Sequence, residues 1–312
     1  MIYSFSHRTD GPAYYWAWFL SRLEEGFAQV RNPYYPDNVS TYDLVDDTCE
    51  GFVFTSKNYF PVIDGRARLY GLDDLVEKYA TEWRFTITPY RSDIERCSPS
   101  NVDAVNTAKV LSRIVGRKRL TWLYSPIAMY DGVYDWSYHI AAFEWLAQHL
   151  SESVSRVSLD VLRVYEKVAR NAAQLREPHF WEMEIMMPRF VEIANTYGIE
   201  VHACPANADW SRWGIDMSPC MSLKRFGELN GLELRNIKVA KGSGLFATCP
   251  EGCASVRDLA AYGTCPCGCV YCYANPVPGQ IVGQYSVASP MLMDVPRMYD
   301  RVSSAKQKRY FK

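Results

Sequence analysis

The sequence lacks any long uncharged apolar run, and its first residues, MIYSFSHRTDG, lack the basic region and apolar segment of a secretory signal. A membrane-spanning helix needs about 20 apolar residues in succession, so the chain is predicted to stay out of membranes and to be cytoplasmic. Net charge is scarce as well, because 34 basic and 35 acidic side chains leave a formal charge of −1. This balance excludes a global field that would steer the protein toward nucleic acid or a membrane surface.

Cysteine, in contrast, is plentiful. The chain has ten cysteines, and four of them lie within residues 264–275, TCPCGCVYCYAN. In a reducing compartment a disulfide framework is not expected, so this cluster indicates metal binding or catalysis.

Six short segments rich in β-branched and aromatic residues alternate with longer segments of helical apolar spacing. The predicted strands are residues 2–6, 51–56, 83–89, 120–125, 157–162 and 199–204; the main helical segments are 13–27, 102–116, 136–153 and 182–198. This alternation predicts an α/β fold with a parallel sheet and right-handed crossovers. Six such units either close part of a barrel or form an open doubly wound sheet.

Polar side chains recur where the predicted strands end. They are His7, Arg8, Asp10, Lys57, Asn58, Thr88, Tyr90, Arg91, Tyr124, Ser125, His202 and Cys204. Ligands of parallel α/β sheets bind at the carboxyl ends of the strands, so these residues predict a central site there.

Within the cysteine-rich segment, Cys265, Cys269 and Cys272 have the spacing C-x-x-x-C-x-x-C, with the aromatic Tyr271 before the last cysteine. Iron–sulfur clusters normally take four thiolates, so three suggest a 4Fe–4S cluster with one iron open to a small ligand. The pattern resembles that of the radical S-adenosylmethionine (SAM) superfamily. In that superfamily SAM binds the open iron and is cleaved to a 5′-deoxyadenosyl radical, which abstracts a hydrogen atom from the substrate.

A zinc site is the alternative, because Cys249 and Cys253 would combine with Cys269 and Cys272 as four thiolate ligands. A zinc ribbon, however, does not require the three-residue gap, the aromatic residue or six preceding βα units. Cys267 falls outside the three-cysteine pattern, either as a bystander or as a replacement ligand during reconstitution in vitro.

The segments SFSHRTDGPAYYWAWF, VRNPYYP, FTSKN, FTITPY and RDLAAYGTCPCGCVYCYAN, in this order, resemble a bacterial and phage family. That family is catalogued as a domain of unknown function with a radical-SAM-like C-terminal cysteine cluster, and it is related to the spore photoproduct lyase group. The chain departs from it at residues 122–126, WLYSP, where relatives tend to have Trp-Arg-Tyr-Asp-Pro, and at Cys267, where relatives usually have His.

The resemblance implies a second set of ligands. Cys204, Cys220, Cys249 and Cys253 would hold an auxiliary 4Fe–4S cluster, the alternative being inert buried cysteines together with zinc.

For the organisation of the chain, we expect residues 1–203, which contain the six βα units, to form a partial (β/α)6 TIM-like barrel. Residues 204–312 would be a cysteine-rich, cluster-binding extension that folds back over the barrel mouth.

Further roles are hypotheses for single residues. Candidates for contacts with SAM are Tyr271, Tyr273, Asn275, Arg8 and Asn58, and candidates for catalysis are Lys57, Tyr90 and Cys97. Arginine and lysine suit carboxylates. The structural alternatives are an Arg8–Asp10 pair across a turn, a solvated Lys57 and a packing role for Cys97.

The resemblance also implies a thymine-like substrate. The leading hypothesis is radical isomerisation or modification of a thymine-derived base, in DNA or as a nucleotide, as in phage DNA hypermodification. A reduced flavodoxin or ferredoxin would supply the electron. The alternatives are a radical SAM enzyme acting on a small molecule or peptide, and a zinc-stabilised, non-catalytic nucleic-acid-binding protein.

Overall fold

The computed structural model describes residues 1–45, 48–64, 71–204, 209–235, 253, 256–305 and 309–312. Within them, the strands are β1 (Ile2–Ser4), β2 (Phe27–Arg31), β3 (Asn38–Asp43), β4 (Gly51–Ser56), β5 (Thr81–Thr86), β6 (Leu120–Ile127), β7 (Arg156–Val161), β8 (Glu200–Ala203), β9 (Arg257–Asp258) and β10 (Arg301–Ser304). The α-helices are α1 (Gly11–Tyr14), α2 (Trp16–Glu25), α3 (Phe60–Ile63), α4 (Leu72–Lys78), α5 (Asn101–Val115), α6 (Trp136–Leu150), α7 (Glu166–Asn171), α8 (Phe180–Thr196) and α9 (Leu223–Asn230). Among these helices none is both long and apolar enough to cross a bilayer.

Seven strands form one parallel sheet in the order β8-β7-β6-β5-β4-β1-β9. The six predicted strands are confirmed as β1 and β4–β8, and each pairs with the next of the six along the chain. The fold is therefore mixed α/β with a central parallel sheet, as predicted. The sheet is open, because β8 and β9 do not pair with each other in the described part of the chain.

The two faces of this sheet differ in chemistry. Alternate residues such as Trp83 and Phe85 point into the large aromatic core that the helices cover. The opposite face carries Thr55, Arg84 and Thr121 side by side on three adjacent strands, as their register requires. One face of the sheet is thus apolar, and the other carries polar and charged side chains together with apolar ones such as Ile2 and Val53.

Residues that follow β8 cover part of the polar face. Arg84 donates a hydrogen bond to the carbonyl of Cys220, and Arg156 pairs with Asp216. His202 contacts the carbonyl oxygen of Ser218 at 2.8 Å. The segment therefore supplies further partners for charged side chains on this face, one of which, Arg84, also pairs with Glu82 in its own strand.

The chain then returns to its beginning. β9 pairs in parallel with β1, and the Asp258 carboxylate accepts hydrogen bonds from the backbone N–H groups of Ser6 and His7, at 3.2 and 3.4 Å. A separate three-stranded sheet, β10-β3-β2, joins residues 301–304 to residues 27–43. Neither this sheet nor β9 was among the strands predicted from the sequence.

Candidate functional site

A cavity of about 510 Å³ opens at the carboxyl ends of β1, β4, β5, β6 and β7. This volume lies in the range of sites for small molecules and cofactors. Residues 264–275, the cysteine loop, form one wall, and Cys265, Cys267, Cys269 and Cys272 all line it. The cysteine loop therefore lies beside His7 and Lys57, which come more than 200 residues earlier in the chain.

The cysteine loop is shaped by its own sequence. Gly268 has a φ of +76°, and a Cβ there would come within 3.3 Å of Arg96 Cδ, so glycine suits this turn. The turn places the sulfurs of Cys267 and Cys269 3.6 Å apart. The Asn275 side-chain amide donates to the Cys265 carbonyl at 2.6 Å, so this predicted cofactor residue contacts the backbone of the cysteine loop.

Lys57 lies in the cavity wall with a side chain only 14 % exposed, and so it is not a solvated strand end. Its ammonium Nζ lies 2.8 Å from Glu95 Oε1 and 3.4 Å from Thr88 Oγ1. Burial is the largest single influence, lowering the pKa of Lys57 and raising that of Glu95, but the opposing influences together outweigh it. For Lys57 these are Glu95 and the nearby cysteines, and for Glu95 they are Lys57 and the hydrogen bonds from Thr88 and Tyr271. The net pKa of Lys57 lies above its ordinary value and that of Glu95 below, so both are ionised.

The loop after β1 is held by two carboxylates. Asp10 caps α1 and accepts hydrogen bonds from Ser56 Oγ and from the Lys57 backbone N–H, at 2.6 and 2.9 Å. Arg8 pairs with Asp258 at 3.8 Å, so the alternative pairing with Asp10 is not observed. Burial raises the pKa of Asp258 to about 6, an effect that Arg8 opposes.

Two tyrosines of the cysteine loop line the cavity. The Tyr271 hydroxyl donates to the Glu95 carboxylate, and the Tyr273 hydroxyl donates to the His7 carbonyl. Arg8, also predicted to contact a cofactor, lies in the wall as well.

Besides Asn275, three residues predicted to contact SAM or to act in catalysis lie outside the cavity wall. So do five of the polar residues predicted at strand ends, which are Thr88, Arg91, Tyr124, His202 and Cys204. The Tyr90 hydroxyl donates to the Pro126 carbonyl at 2.8 Å and accepts from the Ala128 N–H at 2.7 Å. The Asn58 side-chain oxygen accepts from the Phe60 N–H at 3.0 Å. Cys97 is exposed, and its N–H donates to the Cys267 carbonyl at 3.2 Å.

The second cysteine set lies next to the polar face of the sheet. Cys204 follows β8, and Cys253 forms an isolated antiparallel bridge with Ser222. The pKa of Cys220 is raised overall: the Cys204 side chain lowers it, while the Cys253 side chain and burial raise it. Cys204, Cys220 and Cys253 are therefore neighbours. Cys249, the fourth predicted ligand, lies outside the described residues.

Several site residues were missed in the sequence. Arg84 lines the cavity, and so do Asp160 and Arg163 at the end of β7. Burial raises the pKa of Asp160 to about 6. The alternation of Arg84 with Trp83 and Phe85 in a buried strand was a signal that one face of the sheet carries charge, whereas Glu95 lies in an irregular loop with no local signal.

The types of donor atom in the wall are those of an iron–sulfur cluster, because three thiols at C-x-x-x-C-x-x-C spacing share one cavity with cationic side chains. Their arrangement is a separate question. No group of three or more His, Cys, Asp or Glu side chains among the described residues is arranged to hold a metal ion.

Together, the fold and the site define an α/β protein with a cysteine-walled cavity at the carboxyl ends of parallel strands. The chain belongs to the family described as a domain of unknown function (DUF1848), whose model matches residues 2–274. No curated protein and no solved structure matches the chain.

Proposed function

We propose that the protein is a radical SAM enzyme in which Cys265, Cys269 and Cys272 hold a 4Fe–4S cluster. When bound, the cluster and SAM supply one-electron chemistry that removes a hydrogen atom from a substrate. One observation carries the proposal: a C-x-x-x-C-x-x-C loop from the end of the chain forms a wall of the cavity above the parallel strands.

The chain's own residues supply binding and shielding. Lys57, Arg8 and Arg84 line the wall, each paired with a carboxylate of the protein, and they are cations of the kind that binds a carboxylate such as that of SAM. The rings of Tyr271 and Tyr273 lie beside the cysteines in the cavity wall and supply apolar surface there.

The strand order supports a partial barrel rather than a doubly wound sheet as the description of the fold. Six parallel strands that pair in chain order are what a (β/α)6 partial barrel requires, whereas a doubly wound sheet reverses its order at a switch point. In this description residues 1–203 form the partial barrel and residues 204–312 the extension across its mouth.

For the second cysteine set we propose an auxiliary 4Fe–4S cluster held by Cys204, Cys220 and Cys253, with Cys249 as the fourth ligand. The mutual proximity of the first three supports it. Four thiolates would complete the coordination and leave no open iron.

The proposed substrate is a thymine-derived base, in DNA or as a nucleotide, modified or isomerised with an electron from reduced flavodoxin or ferredoxin. The family resemblance is the main support. The cavity adds Tyr165 and Tyr273, which are 53 % and 46 % exposed, together with Arg8 and Arg163. Exposed rings with nearby cations suit a flat base that carries phosphate.

Anaerobic purification tests the cofactor proposal. We expect a brown protein with about seven or eight iron atoms per chain, as two clusters require, that cleaves SAM after reduction. Replacing Cys265, Cys269 or Cys272 by alanine abolishes SAM cleavage, whereas Cys267→Ala retains it. A colourless protein with stoichiometric zinc would overturn the proposal.

Mass spectrometry of DNA nucleosides tests the substrate. DNA from cells or phage with and without the gene is digested, and we expect a modified thymidine only where the gene is present. If no nucleoside differs, the thymine hypothesis is lost while the cofactor proposal is unaffected.

A further inference from the structure

Glu95 is a buried carboxylate that receives hydrogen bonds from four separate donors. Its side chain is only 2 % exposed, although it lies in the loop between β5 and α5. Oε1 accepts from Lys57, Thr88 and Tyr271, and Oε2 accepts from Ser98 at 2.8 Å. These donors come from the ends of two strands, the Glu95 loop itself and the cysteine loop.

The backbone around Glu95 also pairs with the cysteine loop. Glu95 and Cys269 form an antiparallel bridge, and the Val270 N–H donates to the Ile94 carbonyl at 3.0 Å. The contact from Cys97 to Cys267 continues this pairing. The cysteine loop is therefore tied to residues 94–97 by its backbone and to the Glu95 carboxylate through Tyr271.

The same carboxylate orients Lys57. The Lys57 ammonium lies 2.8 Å from Glu95 and 5.8 Å from the centre of the Tyr271 ring, in the wall that the cysteines share. Without its anionic partner, this ammonium would be a buried and uncompensated charge, which is strongly unfavourable. Removal of the Glu95 charge is therefore expected to release Lys57 from its present position.

We infer that Glu95 is the positioning residue of the site: it holds the cysteine loop through Tyr271 and orients the ammonium of Lys57 in the cavity wall. The inference rests on the proposed function for its catalytic meaning. Its test, however, uses metal-free protein and requires no bound cofactor.

The experiment measures two chemical footprints on metal-free, full-length protein. Alkylation by iodoacetamide is followed by mass spectrometry at Cys267 and Cys269, which are buried at 3 % and 7 % exposure, and acetylation is followed at Lys57. Cys49, 5 % exposed and in the main core, is the internal control.

Glu95→Gln keeps the shape of the side chain and removes its charge. Loss of a buried charged partner favours local opening, so we expect modification of Cys267, Cys269 and Lys57 to become about tenfold faster or more, with Cys49 unchanged. Tyr271→Phe removes only the hydrogen bond between the Glu95 carboxylate and the cysteine loop. In this variant the two loop cysteines react faster, while Lys57, still paired with Glu95, reacts at the wild-type rate.

Glu182→Gln is the matched control. Like Glu95, Glu182 is a buried carboxylate with a cationic partner, in this case Arg176 at 2.7 Å. It lies at the start of α8, away from the cavity. In the Glu182→Gln variant we expect Cys267, Cys269 and Lys57 to react at wild-type rates.

The inference is overturned if Glu95→Gln leaves the three rates within about twofold of wild type, or if it accelerates Cys49 equally, because local opening predicts neither. If Glu95→Gln does not fold, Tyr271→Phe decides, and equal rates at Cys269 in that variant and the wild type overturn the inference. If the footprints change as expected but the protein never cleaves SAM, the proposed function fails and the role of Glu95 stands.

Discussion

Arg84 is a buried, charged side chain within a parallel strand. It is 8 % exposed, and its Nε and Nη2 both lie 3.1 Å from Glu82 Oε1, on the polar face of the sheet. It also lines the cavity and donates to the carbonyl of Cys220, so it contacts the surroundings of both cysteine sets. Such a pair contributes little net stability compared with apolar packing, but loss of one partner is costly.

We therefore expect Arg84→Gln to lower the free energy of unfolding by about 3 to 5 kcal/mol, because it leaves Glu82 buried without its cation. Urea denaturation measures the change. The double variant Arg84→Gln/Glu82→Gln is expected to recover part of the loss. Arg212→Gln, which breaks a half-exposed pair with Glu184, is the control and costs less than about 1 kcal/mol. A single-variant cost as small as that of the control would contradict the buried-pair interpretation.

At the scale of elements, one histidine joins β6 to α6. His139 is fully buried, with Nδ1 2.8 Å from the Tyr124 hydroxyl and Nε2 3.1 Å from the Ala128 carbonyl oxygen. A neutral ring satisfies both contacts when the tyrosine donates to Nδ1 and Nε2–H donates to the carbonyl. Burial lowers the pKa of His139 to about 4.

Acid should therefore weaken the link between β6 and α6. The unfolded chain takes up a proton at His139 near its ordinary pKa of about 6.5, whereas the folded chain does so only near 4, so stability falls as the pH drops through this window. The full loss from this residue is about 3 kcal/mol. In His139→Gln, whose side chain does not titrate, we expect a flatter plot of unfolding free energy against pH between 6.5 and 4. Parallel plots for variant and wild type would contradict the assignment.

The sequence predicted secondary-structure elements better than it predicted which distant residues contact one another. Segments such as 51–56 were recognisable because aromatic and β-branched residues mark a buried strand wherever it pairs. β2 and β3 were missed because they form a small sheet of largely half-buried strands with β10, more than 250 residues later. The cysteine loop was expected at the strand ends from its resemblance to radical SAM enzymes, and it lines the cavity there. The role of Glu95 was not predicted, because its four donors come from three separate segments of the chain.

At the scale of the whole molecule, two strand pairings among the described residues join the last part of the chain to the first part. One contact is β9 on β1, supported by Asp258. The other is β10 on β3, supported by Asp300, which receives hydrogen bonds from Arg31 Nη2 and the Arg297 N–H at 2.9 and 2.7 Å. The first contact lies beside the cavity, whereas the second lies in the separate small sheet.

These two contacts should open independently, and hydrogen exchange of backbone amides can distinguish them. Asp258→Ala leaves the N–H groups of Ser6 and His7 without their acceptor, so we expect exchange to accelerate about tenfold in peptides covering residues 2–10 and 257–262. Asp300→Ala is the reciprocal control: it should accelerate peptides covering residues 27–43 and 297–304 and leave residues 2–10 protected. Equal acceleration of both regions by either variant would mean that the returning segment opens as one unit. The contact beside the cavity would then not be a separate structural unit.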